Sequence, residues 1–221
     1  MQADIDQLFI LPPCDGEIEI LREEPDFLLI NKPTRLLSVP GRHPQNRDSV
    51  ISRLEAGYPG CSIVHRLDFD TSGVMVIPRN KPALSHISKQ FQVRTVSKHY
   101  TAVVAGVMAQ DEGVIDLPIA SDEGPKYKIC RETGKPSVTE YKVIGRDEQA
   151  HTTQVFLHPI TGRSHQLRLH LQVIGHPILG CEFYGGEFAK VVDRLLLHAT
   201  DLRFVHPVSG LEVFIESKPD F

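Results

Sequence analysis

The sequence predicts an α+β fold, with a mixed, largely antiparallel central sheet flanked by helices and loops. Two observations point to it. Nine short runs rich in branched and aromatic residues read as strands, whereas only three segments carry helical periodicity. Those three do not alternate strictly with the strands, as a doubly wound parallel sheet would require. At 221 residues, 41% hydrophobic and 24% charged, the chain has ordinary globular composition and enough length for one large core.

Taken in order, residues 1–26 hold eight acids and one base and read as an acidic amino-terminal extension, with a single domain expected over 27–221. Strands are expected at 27–30, 63–67, 74–77, 100–104, 114–119, 138–144, 155–157, 195–198 and 211–215. Asp48 is placed to cap a helix carrying Val50, Ile51 and Leu54. Asn80 is placed to cap a second, with Pro82 near its start and Leu84, Ile87 and Phe91 on its apolar side. A third begins near Ser164, where Leu167, Leu171 and Ile174 form one stripe, His165 and Arg168 share another face, and Gly175 closes the helix.

The net charge of −4 hides an asymmetry. Beyond residue 26 there are 20 acids against 23 bases. Residues 71–110 hold Arg79, Lys81, Lys89, Arg94 and Lys98 with no carboxylate, and residues 149–181 hold Arg163, Arg168 and five histidines, again with none. Lys126, Lys128 and Arg131 form a further basic group after Pro125. Surfaces free of carboxylates can approach phosphates without repulsion, whereas the acidic extension is a poor polyanion ligand and is expected to be dispensable for activity. Cys14, Cys61, Cys130 and Cys181 form no CxxC pair, so neither a zinc site nor a disulfide framework is indicated and a reducing cytoplasm is expected. There is no signal-peptide pattern, and no apolar run approaches the roughly 20 residues that cross a bilayer.

One segment concentrates the chemistry. Val64-His65-Arg66-Leu67-Asp68-Phe69-Asp70-Thr71-Ser72-Gly73 sets charged residues between two apolar runs. Read as strand, connection and strand, it puts Asp68 at the end of the first strand, where a rigid scaffold presents functional groups. Asp70, Thr71 and Ser72 with Gly73 have the composition of a turn. Three further segments accompany it: Asn31-Lys32-Pro33 with Ser38-Val39-Pro40-Gly41; Lys98-His99-Tyr100 leading to Gly106; and Gly162-Arg163-Ser164-His165-Gln166-Leu167-Arg168-Leu169-His170 followed by Gly175-His176-Pro177-Ile178-Leu179-Gly180.

In this order the four segments closely resemble the RluA family of RNA pseudouridine synthases, from about Phe27 to Phe221. The resemblance implies the pseudouridine synthase catalytic fold without a separate S4 domain, and an isomerase that needs no cofactor or metal. It implies RNA partners, namely a hairpin of large-subunit (23S) ribosomal RNA and the tRNA anticodon stem-loop, met by a monomer. Asp68 is then the nucleophile or base that starts uridine isomerisation. Arg168 is the fork donor that pairs with it and keeps it ionised in a desolvating pocket. Tyr100 stacks on the base and assists loss of the C5 proton. Arg66 fills the space of the extruded uridine or contacts phosphate. His65 reads as a hydrogen-bonded structural residue. Arg79, Lys81, Lys89, Arg94, Lys98, Lys126, Lys128, Arg131, Arg163 and His165 are the remaining candidate RNA contacts. Two positions depart from the family pattern: Arg35, where glycine is common, and Cys181, where aspartate is usual.

Other chemistries fit less well. Phe69-Asp70-Thr71-Ser72-Gly73 looks like the Asp-Thr-Gly element of aspartic proteases, but a serine intervenes and a second such carboxylate is needed. His165 and His170 are mis-spaced for HExxH. A retaining glycosidase needs a carboxylate paired with Asp68, which Asp70 would supply only weakly. A non-catalytic module that binds RNA hairpins remains the alternative, with Asp68 then incidental.

Overall fold

A computed structural model describes residues 9–221, so the first eight residues of the expected extension lie outside the described residues. In chain order the elements begin β1 (Glu19–Glu23), β2 (Phe27–Lys32), α1 (Val50–Leu54), β3 (Ser72–Pro78), α2 (Lys81–Gln92), β4 (Ser97–Ala105) and β5 (Glu112–Asp116). They continue with β6 (Ile119–Ser121), β7 (Tyr127–Ile129), β8 (Val138–Asp147), β9 (Thr152–Pro159), α3 (Gln166–Val173), β10 (Leu197–Val205) and β11 (Glu212–Glu216). Two compact units emerge, one from residues up to 96 with 201–217, the other from 97–200 with 218–221.

In the first unit, β2 pairs antiparallel with both β1 and β3, and the carboxyl half of β10 pairs antiparallel with β11. β2 and β3 are apolar at successive positions and are buried along nearly their whole length, the pattern of strands covered on both faces. Their side chains form a core with Ile87 and Phe204, in which Phe27 meets Phe204 edge to face at 5.3 Å. Asn80 caps α2 as expected, its side chain accepting the Ala83 N–H. Gln90 of α2 bonds both backbone groups of Val205 and so imitates a neighbouring strand.

Two expectations fail in this unit. Residues 63–67 form no strand, because side chains take the bonds a ladder would make: the Val76 N–H goes to His65 Nε2 and both Leu67 groups go to Ser38. Ser49, not Asp48, caps α1 through a reciprocal box with Ser52. Asp48 instead pairs with Arg53 at 2.6 Å, and that hydrogen-bonded guanidinium holds its carboxyl below the usual carboxylate range. The described part of the acidic extension packs into this unit. β1 belongs to the sheet, Arg53 donates to the carbonyls of Cys14 and Gly16, and Arg79 pairs with Glu23.

The second unit is built on β4, β9, β8 and β5, adjacent in that order and antiparallel throughout. β9 alternates strictly, sending Thr153, Val155, Leu157 and Pro159 inward. Val155 and Leu157 share a core with Ala102, Val104, Leu167 and Leu171. The run expected as one strand over 114–119 divides into β5 and β6, because Pro118 cannot donate to a ladder. β6 and β7 then form a separate antiparallel hairpin carrying Lys126 and Lys128. Among the described residues no helix is long and apolar enough to cross a membrane.

α3 begins two residues later than expected. His165 is its N-cap, in the left-handed region at φ 56°, so it lies outside the helix and shares no helical face with Arg168. The expected stripe is present, with Leu167 and Leu171 in the core and Ile174 packed on it. The end is a Schellman motif: Gly175, at φ 90°, donates to Gln172, and His176 donates to Leu171. Polar side chains tie the helix to β8. Gln166 accepts from Thr161 and donates to Thr139, while His170 bonds Thr139 Oγ1 at 2.9 Å and the Leu117 carbonyl at 3.0 Å.

Candidate active site

Asp68 stands half-buried on the irregular segment that precedes β3. Its neighbours are held by side chains of residues 32–38. Ser38 Oγ donates to the Leu67 carbonyl at 2.9 Å and accepts the Leu67 N–H at 3.1 Å. Lys32 Nζ, fully buried, donates to the carbonyls of Leu36 at 2.7 Å and Phe69 at 3.2 Å. Thr34 Oγ1 donates to the Asp70 carbonyl at 2.7 Å, and the Thr71 N–H reaches back to the Asp68 carbonyl. The turn lies at Phe69–Asp70, closed by that Thr71-to-Asp68 bond, and so precedes the expected 70–73; Ser72 and Gly73 already belong to β3, with Thr71 and Ser72 buried and Gly73 at φ 118°. The Asn31-Lys32-Pro33 and Ser38 segments stand out in the sequence as motifs, but the cradle they form does not. A lysine inside an apolar run was the available signal, since such a charge is retained only where oxygens surround it.

His65 is structural, as expected, though it sits on no strand. Its Nε2 accepts the Val76 N–H at 3.1 Å, so that nitrogen carries no proton, and its ring stacks on Phe91 at 4.7 Å. Arg66 is exposed beside it.

Arg168 and Tyr100 belong to the second unit. Arg168 is only 2% exposed, which removes any reading of it as a solvated helix residue. Its Nε donates to Cys181 Sγ at 3.3 Å, and its guanidinium lies 5.2 Å from the Phe183 ring centre and 5.6 Å from that of Tyr184. Cys181, the family departure, is therefore an acceptor for this arginine. Gly180 precedes it: at φ 72° and with the Arg194 carbonyl standing where a Cβ would go, no side chain fits there. Tyr100 projects from β4 onto the face that carries Ala102 and Val104, half-buried against that core.

His165 contacts a ring cluster that the sequence did not reveal. Its Nδ1 bonds Tyr184 Oη at 2.8 Å, its ring stacks on Phe183, and it meets the edge of Tyr127. Tyr184 Oη also accepts the Tyr127 N–H, which ties the β6–β7 hairpin to the start of α3. Residues so far apart in sequence carry no shared periodicity.

The candidate RNA contacts divide by what they already touch. Arg66, Lys81, Lys89, Arg94, Lys126 and Arg131 are exposed. Arg79 is engaged with Glu23 at 3.0 Å and Lys128 with Asp122 at 2.9 Å. Lys98 donates to the Pro159 carbonyl and Arg163 to that of Pro136. Among the described residues no group of three or more His, Cys, Asp or Glu side chains is arranged to hold a metal ion.

Comparison with known proteins defines the class. The RNA pseudouridylate synthase family profile matches residues 26–173, a span that contains Asp68, Tyr100 and Arg168. A dual-specificity RNA pseudouridine synthase RluA from Vibrio parahaemolyticus is 52% identical over 90% of this chain and 82% of its own length. The Escherichia coli K12 protein of the same description is 44% identical over 95% of this chain and 97% of its own. Among solved structures, human RNA pseudouridylate synthase domain containing 1 superposes with a TM-score of 0.79 at 29% identity, covering 95% of this chain and 86% of that one. The chain belongs to the RluA family of RNA pseudouridine synthases, and its mixed, mostly antiparallel α+β architecture is the fold of that family. It is accordingly an RNA-modifying isomerase that converts uridine to pseudouridine, and the reading as a non-catalytic binding module is not favoured.

Proposed function

We propose that Asp68 opens the reaction on a uridine extruded from an RNA stem-loop, and that Arg168 pairs with it. The C1′–N1 bond breaks, the uracil turns, and C1′ bonds to C5. The C5 proton then leaves, with Tyr100 assisting, and N1 gains a proton, so the change is an isomerisation with no net redox step. The observation that carries this reading is the family match over 26–173, which includes all three residues. The burial of Arg168 supports it, because a charge withdrawn from water is kept where an opposite charge answers it. A planar fork held against Phe183 and Tyr184 suits a carboxylate bound through two oxygens.

The substrates we propose are a 23S ribosomal RNA hairpin and the tRNA anticodon stem-loop, since the relatives are described as dual-specificity enzymes. Arg66 enters the space of the extruded base, and Lys81, Lys89, Arg94, Lys126 and Arg131 meet phosphates. His165, Arg163, Lys98, Lys128 and Arg79 complete the RNA-facing set. The enzyme acts as a monomer in the cytoplasm. The test is to incubate purified protein with transcripts of both stem-loops, without added cofactor, and to map pseudouridine by carbodiimide labelling. Conversion of one uridine in each is expected. Binding without conversion would return the reading to a hairpin-binding module.

A further inference from the structure

We infer that Ser38 is a positioning residue that sets the direction of the Asp68 side chain. This rests on the reading that Asp68 carries the chemistry. The Leu67 carbonyl and the Asp68 amide belong to one planar peptide unit, so whatever fixes that carbonyl fixes the plane from which the Asp68 Cα–Cβ bond departs. Ser38 Oγ holds the carbonyl at 2.9 Å and the Leu67 N–H at 3.1 Å, which fixes the peptide planes on both sides of Leu67. Within the loop Lys32 and Thr34 hold only the carbonyls of Phe69 and Asp70, which lie after Asp68.

The bond pair is sheltered and rigid. Ser38 is 3% exposed and Leu67 7%, so water competes little for either backbone group, and buried backbone groups need partners. Ser38 is itself anchored through Leu37, whose carbonyl accepts the Val50 N–H at 2.8 Å in the first turn of α1. A hydroxyl on a fixed segment thereby does for the Asp68 loop what a neighbouring strand does for a ladder. Without it, the Leu67 peptide groups must turn toward other partners and Asp68 turns with them.

The test uses Ser38→Ala and Ser38→Cys in the full chain, with Asp68→Asn alongside. Single-turnover isomerisation of the tRNA anticodon stem-loop at saturating enzyme is read per folded molecule, together with RNA affinity and thermal unfolding. Both Ser38 variants should slow the reaction by about 10- to 100-fold, the scale of a misplacement near 1 Å, with RNA affinity unchanged to within about twofold. Cysteine fills the serine volume, so a loss shared by both variants reports the hydroxyl bonds and not the space. The proposal is overturned if the rate per folded molecule stays within about threefold of the parent, or if the loss lies in affinity alone. It is equally overturned if neither variant folds, since Ser38 would then serve the fold and nothing more specific. Turnover by Asp68→Asn would defeat the underlying reading instead. An inactive Asp68→Asn beside fully active Ser38 variants would defeat this inference alone.

Discussion

Around Asp68 the backbone from 62 to 71 joins no ladder, and the groups of Leu67, Phe69 and Asp70 are met one at a time by the side chains of Ser38, Lys32 and Thr34, with backbone bonds from the Ser62 and Thr71 N–H groups beside them. Around Arg168 the backbone is helical, and side chains do other work: Gln166 and His170 fasten the helix to Thr139 and Leu117, while Cys181, Phe183 and Tyr184 surround the guanidinium. The loop therefore depends on individual bonds with no substitute. The helix shares its load among repeated bonds and a packed stripe. Damage to the first region should show in chemistry before stability, and damage to the second in both.

The largest effects should come from the two charged residues. Asp68→Asn keeps the loop's backbone bonds and should lower turnover by about 10³-fold or more, with RNA affinity within about tenfold. Arg168→Ala should abolish turnover and also destabilise the fold, since Cys181, Phe183 and Tyr184 lose the buried group they surround. Arg168→Lys keeps the charge and loses the fork, so it should retain more stability than activity. A double-mutant cycle on rate and on denaturant midpoint checks the pairing. Additivity in both would show that Asp68 and Arg168 do not act as a unit.

A smaller effect separates the two regions by pH. Burial pushes the His170 imidazole below its ordinary value of 6.5, opposed by the bond to the Leu117 carbonyl and by nearby Asp116. The unfolded chain then binds a proton that the folded chain refuses. The stability contribution is complete above about pH 6.5 and is lost as pH falls toward the lower folded value. Thermal unfolding at pH 7.5 and 5.5 should show this drop, and His170→Gln should flatten it. An equal drop in the variant would place the titration elsewhere.

The smallest effect should be at Asp70. It is held through its carbonyl by Thr34, so Asp70→Asn should keep turnover and cost about 1 kcal/mol at most. A loss of activity comparable with that of Asp68→Asn would mean that the turn reading is wrong.

Much of this was legible from the chain. Seven of the nine expected strands overlap a single strand of the fold, because their apolar residues are contiguous and need only local pattern to be recognised, while 114–119 divides at Pro118. The Asn80 cap and the Gly175 stop are likewise local, each set by residues within a few positions. The failure at 63–67 has a definite cause. Ile63, Val64 and Leu67 are apolar enough for a strand, but Ser38 and His65 supply bonds across 29 and 11 residues, and such partners leave no periodic trace. Asp48 lost the cap to Ser49 for a similar reason, since Arg53 engages its carboxylate from one helical turn away.

The sequence by itself determined the family, most of the strands and the motifs that carry Asp68, Tyr100 and Arg168, because contiguous pattern and residue identity suffice for these. Only the tertiary structure decided that Arg168 is buried against Cys181, Phe183 and Tyr184, that Lys32 and Ser38 pin the Asp68 loop, and that β1 draws the acidic extension into the sheet. Those outcomes depend on which distant groups meet once water is excluded. A buried donor takes whatever acceptor the packing brings within 3 Å or so, and one sequence does not encode that choice position by position.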